Sequence, residues 1–103
     1  MTLNEYQSEA EEFALYQSKM YPVTSLMIEA AELADLFVKP YLRGDRIDID
    51  IEEVISEAGD VLWNLANILS DMDITLSEVA HANIAKLHSR QARGVIMGCG
   101  GDR

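Results

Sequence analysis

Glu29 and Glu32 stand one helical turn apart in the apolar run IEAAELAD, residues 28–35, and Glu57 and Asp60 repeat that spacing at the head of EAGDVLWNLAN. On a helical wheel Glu29 and Glu32 fall among Leu26, Leu33 and Leu36, with Met27, Ala30, Ala31, Phe37 and Val38 on the other sides. A helix apolar nearly all round is expected to be covered on several faces. Burying its two acids is costly without a positive partner, and no Lys or Arg occurs between Lys19 and Lys39. Glu53, Glu57, Asp60 and Asn64 form a second stripe, about 60° wide, beside Val54, Val61, Leu65 and Ile68. Alone, that stripe reads as the solvated face of an amphipathic helix. Facing the first pair, it would complete a cleft of four carboxylates, the hard oxygen environment that Mg²⁺ or Mn²⁺ needs.

A third group, Asn83, Lys86 and Arg90, recurs at i, i+3 and i+7 and shares one helix face. Two readings stand for it: charge balance near a helix C-terminus, or a cationic surface for a polyanion.

The elements that must hold these groups are helical. Thr2 and Glu5, and Thr75 and Glu78, have capping-box spacing, and Asp50 with Glu53 gives the acidic equivalent. Pro22 is expected to precede a helix that starts near Thr24, and Pro40 to end it near Val38. The spacing thus predicts helices over about 2–20, 24–38, 51–72 and 76–92. The expected fold is all-α and four-helix bundle-like, with a helical domain over 1–92 and a glycine-rich tail over 93–103.

Composition narrows the partners. The 103 residues fit one domain, and 18 acidic against 8 basic residues give a net charge of -10. That charge repels nucleic-acid phosphates and anionic membranes and favours small cations. The single cysteine, Cys99, allows no internal disulfide. No signal segment or membrane-length apolar run is visible, so the expected location is cytoplasmic. Trp63 lies off the acidic stripe and reads as a packing or subunit-interface residue. Glu78 and His81 spell E-x-x-H, but one copy does not make a di-iron bundle site.

The ordered set E-x-x-E, 24 intervening residues, E-x-x-D followed by VLWNLANIL, then NIAKLHSR, resembles the MazG-type all-α nucleotide pyrophosphohydrolases, related to the dimeric dUTPases. The resemblance runs from about Leu26 to Arg90. It implies Glu29, Glu32, Glu57 and Asp60 as Mg²⁺ ligands, with Mn²⁺ as the alternative ion, and Lys86 and Arg90, accompanied by Asn83, as contacts to a triphosphate. It implies hydrolysis of a nucleoside triphosphate to the monophosphate and pyrophosphate, with Glu32 or Glu57 handling the attacking water. The family often writes E-E-x-x-E, and this chain has Ile28 at the first position. The resemblance and the apolar second helix together imply a homo-oligomer, with a tetramer preferred over a dimer. The competing function is a non-catalytic acidic helical protein that binds a metal or a protein partner; the Lys86/Arg90 face distinguishes the two, since a mere metal binder has no use for it.

Overall fold

The structure is a computed structural model describing residues 1–94; the glycine-rich tail beyond Gly94, including Cys99, lies outside the described residues. Four helices follow one another: α1 Leu3–Glu11, α2 Met20–Arg43, α3 Ile51–Asp71 and α4 Leu76–Arg93. Three begin on the caps read from the sequence. Thr2 Oγ1 accepts from the Glu5 amide at 3.0 Å and Thr75 Oγ1 from the Glu78 amide at 3.0 Å. Asp50 Oδ1 accepts from the amides of Glu52 and Glu53 at 3.0 and 3.3 Å. Each cap meets amides that a helix start leaves unpaired.

Two boundaries differ from expectation. The first helix stops at Glu11 instead of reaching residue 20. Its last turn carries no basic residue, and Glu9, Glu11 and Glu12 crowd the negative end of the helix dipole. The following segment is held by tertiary contacts instead: the Tyr16 hydroxyl donates to Asp71 Oδ2 at 3.0 Å, and its ring meets Trp63 edge-on at 6.2 Å. The second helix starts at Met20 and runs through both prolines. Pro22 lies in the first turn, where an amide has no intrahelical acceptor, so its missing N–H costs nothing. Pro40 lies one turn from the end and forfeits a single helical bond. Gly44 then closes the helix at φ 74°, and the amides of Gly44 and Asp45 donate back to Tyr41 and Pro40.

α3 is the central element, with α2 packed along it and α1 packed on both α3 and α4. Ala10, Ala66, Leu69 and Leu76 form the buried apolar centre, with Tyr6, Leu62, Trp63, Leu65 and Ile74 against it. Gln7 ties three helices together. Its amide nitrogen donates to Ile74 O at 2.8 Å, Ser70 Oγ at 3.1 Å and Ala66 O at 3.4 Å, while its oxygen accepts from the Leu76 amide at 2.8 Å.

The expectation that α2 is covered on several faces is not met within one chain. Only α3 packs closely on it, and Pro22 is its one buried residue. Met27, Ile28, Val38, Tyr41 and Leu42 are exposed, as are Ile51 and Ile55 on α3. The radius of gyration is 16.4 Å, whereas a compact chain of this length has one of about 13 Å. No helix of the described residues is long and apolar enough to cross a membrane.

Candidate metal centre

The α2–α3 pairing brings the acidic pairs of the two helices together. Glu29, Glu57 and Asp60 each offer a carboxylate oxygen, and these oxygens all lie within 4.8 Å of one another. Glu32 adjoins them, acting on both Glu29 and Glu57 through its charge and side-chain hydrogen bonding. The i, i+3 spacing explains the convergence, since each helix presents two acids on one face and the faces oppose.

The electrostatics follow from that crowding. Burial, chiefly, pushes the Glu29 and Glu57 carboxyls above the usual carboxylate range, and the charges of Glu32 and Asp60 add to the effect. Among the described residues, Glu29 Oε2 and Glu57 Oε2 are buried and have no hydrogen-bond partner. Buried acceptors facing other acceptors call for a proton or a positive group. Lys39 does not supply it, because its ammonium pairs with Asp35 at 3.5 Å on the exposed side of α2. The donor set is hard, anionic and oxygen-only, which suits Mg²⁺ or Mn²⁺ and not the softer ions that prefer sulfur or imidazole.

Two clefts bear on the site, and the first shares Glu32 and Glu57 with it. One, of about 240 Å³, is lined by Glu32, Asp35, Leu36, Lys39, Glu53 and Glu57. The other, of about 550 Å³, has aromatic walls from Phe13, Tyr16, Tyr21 and Trp63. Tyr16 and Tyr21 stack at 5.7 Å within it. Trp63 follows Asp60 by about one turn of α3 but lies off the stripe that Glu57, Asp60 and Asn64 share. Trp63 is half-buried and packs on the apolar centre while also facing the cleft.

Residues 17–95 match the MazG nucleotide pyrophosphohydrolase domain. The chain belongs to the MazG family. The matched span takes in α2, α3 and α4, with all four acids, and leaves out α1. The MazG chain is also similar to the Gene 37 protein of Mycobacterium phage L5, at 34% identity over 115 aligned positions that cover the whole of both chains. No solved structure matches it.

The remaining residues read from the sequence lie on α4 of the MazG domain. Asn83, Lys86 and Arg90 share one face of that continuous helix. Asn83 and Lys86 are exposed and Arg90 is half-buried. Among the described residues no hydrogen bond or ion pair joins Asn83 or Lys86 to the four acids, and α4 packs on α1 and not closely on α2. Sequence reasoning missed Lys39 as a neighbour of the centre, and Tyr16 and Tyr21 as walls of the aromatic cleft. Lys39 had a signal, two turns after Glu32 on the same helix face. Tyr16 had none, because its position depends on the non-helical segment after α1.

Proposed function

We propose that this protein is a divalent-cation-dependent nucleoside triphosphate pyrophosphohydrolase, splitting the bond between the α and β phosphates to give a nucleoside monophosphate and pyrophosphate. The observation that carries this reading is the convergence of Glu29, Glu57 and Asp60, with Glu32 beside them, in a MazG domain, with buried carboxylate oxygens that have no hydrogen-bond partner among the described residues. These four residues would hold Mg²⁺ or Mn²⁺, which when bound supplies charge neutralisation at the phosphates and acidifies a coordinated water. Glu32, which is exposed, and Glu57, which is half-buried, are the carboxylates suited to orient the attacking water and accept its proton. Lys86 and Arg90, with Asn83, would bind the polyphosphate.

The chain works in this reading as a homo-oligomer. The exposed apolar residues of α2 and α3 and the open shape of the subunit support self-association, and we take the tetramer over the dimer. Light scattering at micromolar concentration is expected to give four times the chain mass; a stable active monomer would contradict it.

The test of the activity is product identity. With mixed nucleoside triphosphates and Mg²⁺ the protein is expected to release pyrophosphate and monophosphates in equal amounts, and to release neither in the presence of a chelator. Release of inorganic phosphate and diphosphate would move the cleavage to the terminal bond. No turnover at all, with Mg²⁺ still bound, would favour the non-catalytic metal-binding protein.

A further inference from the structure

The unmet buried oxygens extend beyond the carboxylates, along α3. Among the described residues the buried side-chain polar atoms that lack a hydrogen-bond partner are Glu29 Oε2, Glu57 Oε2, Asn64 Oδ1 and Asn67 Oδ1. All four are oxygens, so what is missing is a donor or a cation.

Asn64 is the informative member of that set. It is only 2% exposed, yet its side chain satisfies half of its bonding capacity: Nδ2 donates to Asp60 O at 2.9 Å. A backbone carbonyl only accepts, so the amino group must face it and the other amide atom is necessarily the oxygen. Helical side chains lean over the turn N-terminal to their own Cα, which sets the Asn64 amide over the turn of Asp60. Around the α3 axis Asn64 lies about 20° from Glu57 and about 40° from Asp60. Its oxygen therefore belongs to the same seam as the carboxylates and is buried as they are. Packing alone does not account for an asparagine here, because a leucine fills a similar volume without leaving a buried acceptor unpaired.

We propose that Asn64 Oδ1 is a neutral oxygen of the cation centre, accepting the ion itself or a water of its coordination shell; this rests on the metal reading above. Mg²⁺ and Mn²⁺ favour six oxygens and retain several waters. A neutral amide fills or supports one of those positions without adding a fifth negative charge to four. Asn67 follows Asp60 by two turns, about 10 Å along α3, which is beyond direct reach of an ion held at the carboxylates.

The experiment is titration of the purified full-length chain with Mn²⁺, without nucleotide, following free Mn²⁺ by electron paramagnetic resonance. Asn64→Leu is expected to weaken Mn²⁺ binding about tenfold, and Asn67→Leu to leave it at the parent value. Asn64→Asp, of the same shape, is expected to bind more tightly than the parent because it adds a charge beside the ion. Asn64→Leu with the parent affinity would overturn the proposal and assign the oxygen to a structural water. If circular dichroism finds Asn64→Leu unfolded, parent affinity in Asn64→Asp overturns it instead. A parent chain that binds no Mn²⁺ would remove the metal reading itself, an outcome distinct from loss of the Asn64 contribution alone.

Discussion

Two buried polar regions of this small protein are built on opposite principles. At the α1–α3–α4 junction, Gln7 donates to Ala66, Ser70 and Ile74 and accepts from Leu76, so its side chain is fully used by the fold. On the α2–α3 seam, Glu29 and Glu57 keep buried oxygens without a donor among the described residues. The first region is complete as a folded chain; the second, in the proposed reading, is completed by a cation. A buried polar group is thus a structural device where its partners are counted and present, and a sign of a ligand where they are all of one sign and one is missing.

The largest effect that would break this contrast is on activity. Glu29→Gln or Asp60→Asn keeps size and polarity but removes charge from the centre, so Mg²⁺-dependent turnover is expected to fall by about 100-fold or more while the helical fold persists. Steady-state pyrophosphate release at limiting Mg²⁺, with circular dichroism alongside, measures both. Parent-like turnover in either variant would remove that residue from the ligand set.

Gln7→Leu tests the other region. It leaves the Leu76 amide and the Ile74 carbonyl unpaired, at a cost of about 1–3 kcal/mol. Urea denaturation is expected to register that loss, with metal affinity unaltered. A Gln7→Leu chain as stable as the parent would mean that water replaces the side chain.

Next in size is the α4 face. Lys86→Ala or Arg90→Ala is expected to weaken triphosphate binding about tenfold and monophosphate binding much less, as read by calorimetry with each ligand. Equal losses would move these residues to the base, the sugar or the scaffold.

The smallest effect concerns pH. Because Glu29 and Glu57 hold their protons more tightly in the folded than in the unfolded chain, the metal-free protein binds more protons when native. Its stability is therefore fully present below the ordinary glutamate range and declines as pH rises through the elevated folded values. Thermal melts in chelator are expected to drop as pH rises from about 4 toward neutrality, and Glu32→Gln is expected to flatten the trend by removing one repelling charge.

How much of this was legible in the sequence depends on whether the cause was local. The caps at Thr2, Asp50 and Thr75 act within three residues, and all three helices start where they indicate. The pairing of Glu29 and Glu32 with Glu57 and Asp60 was legible because helical periodicity fixes each face and a short connection makes neighbours of α2 and α3. The prolines misled because their cost depends on position: in the first turn Pro22 displaces no bond, and in the last Pro40 displaces one. The early end of α1 was hidden because Tyr16 is held by Asp71 and Trp63, far along the chain. Gln7 was invisible for a related reason, since every partner of its side chain lies at least 59 residues away.

The central claim is that a cation completes the α2–α3 seam, and thermal denaturation across a Mg²⁺ series at neutral pH tests it most directly. A ligand bound only by the native state raises the melting temperature as its concentration rises. The parent is expected to melt progressively higher with Mg²⁺ while Glu29→Gln responds weakly or not at all. A parent melting temperature that stays level from chelator to millimolar Mg²⁺, or a Glu29→Gln chain that rises in step with it, would contradict the account.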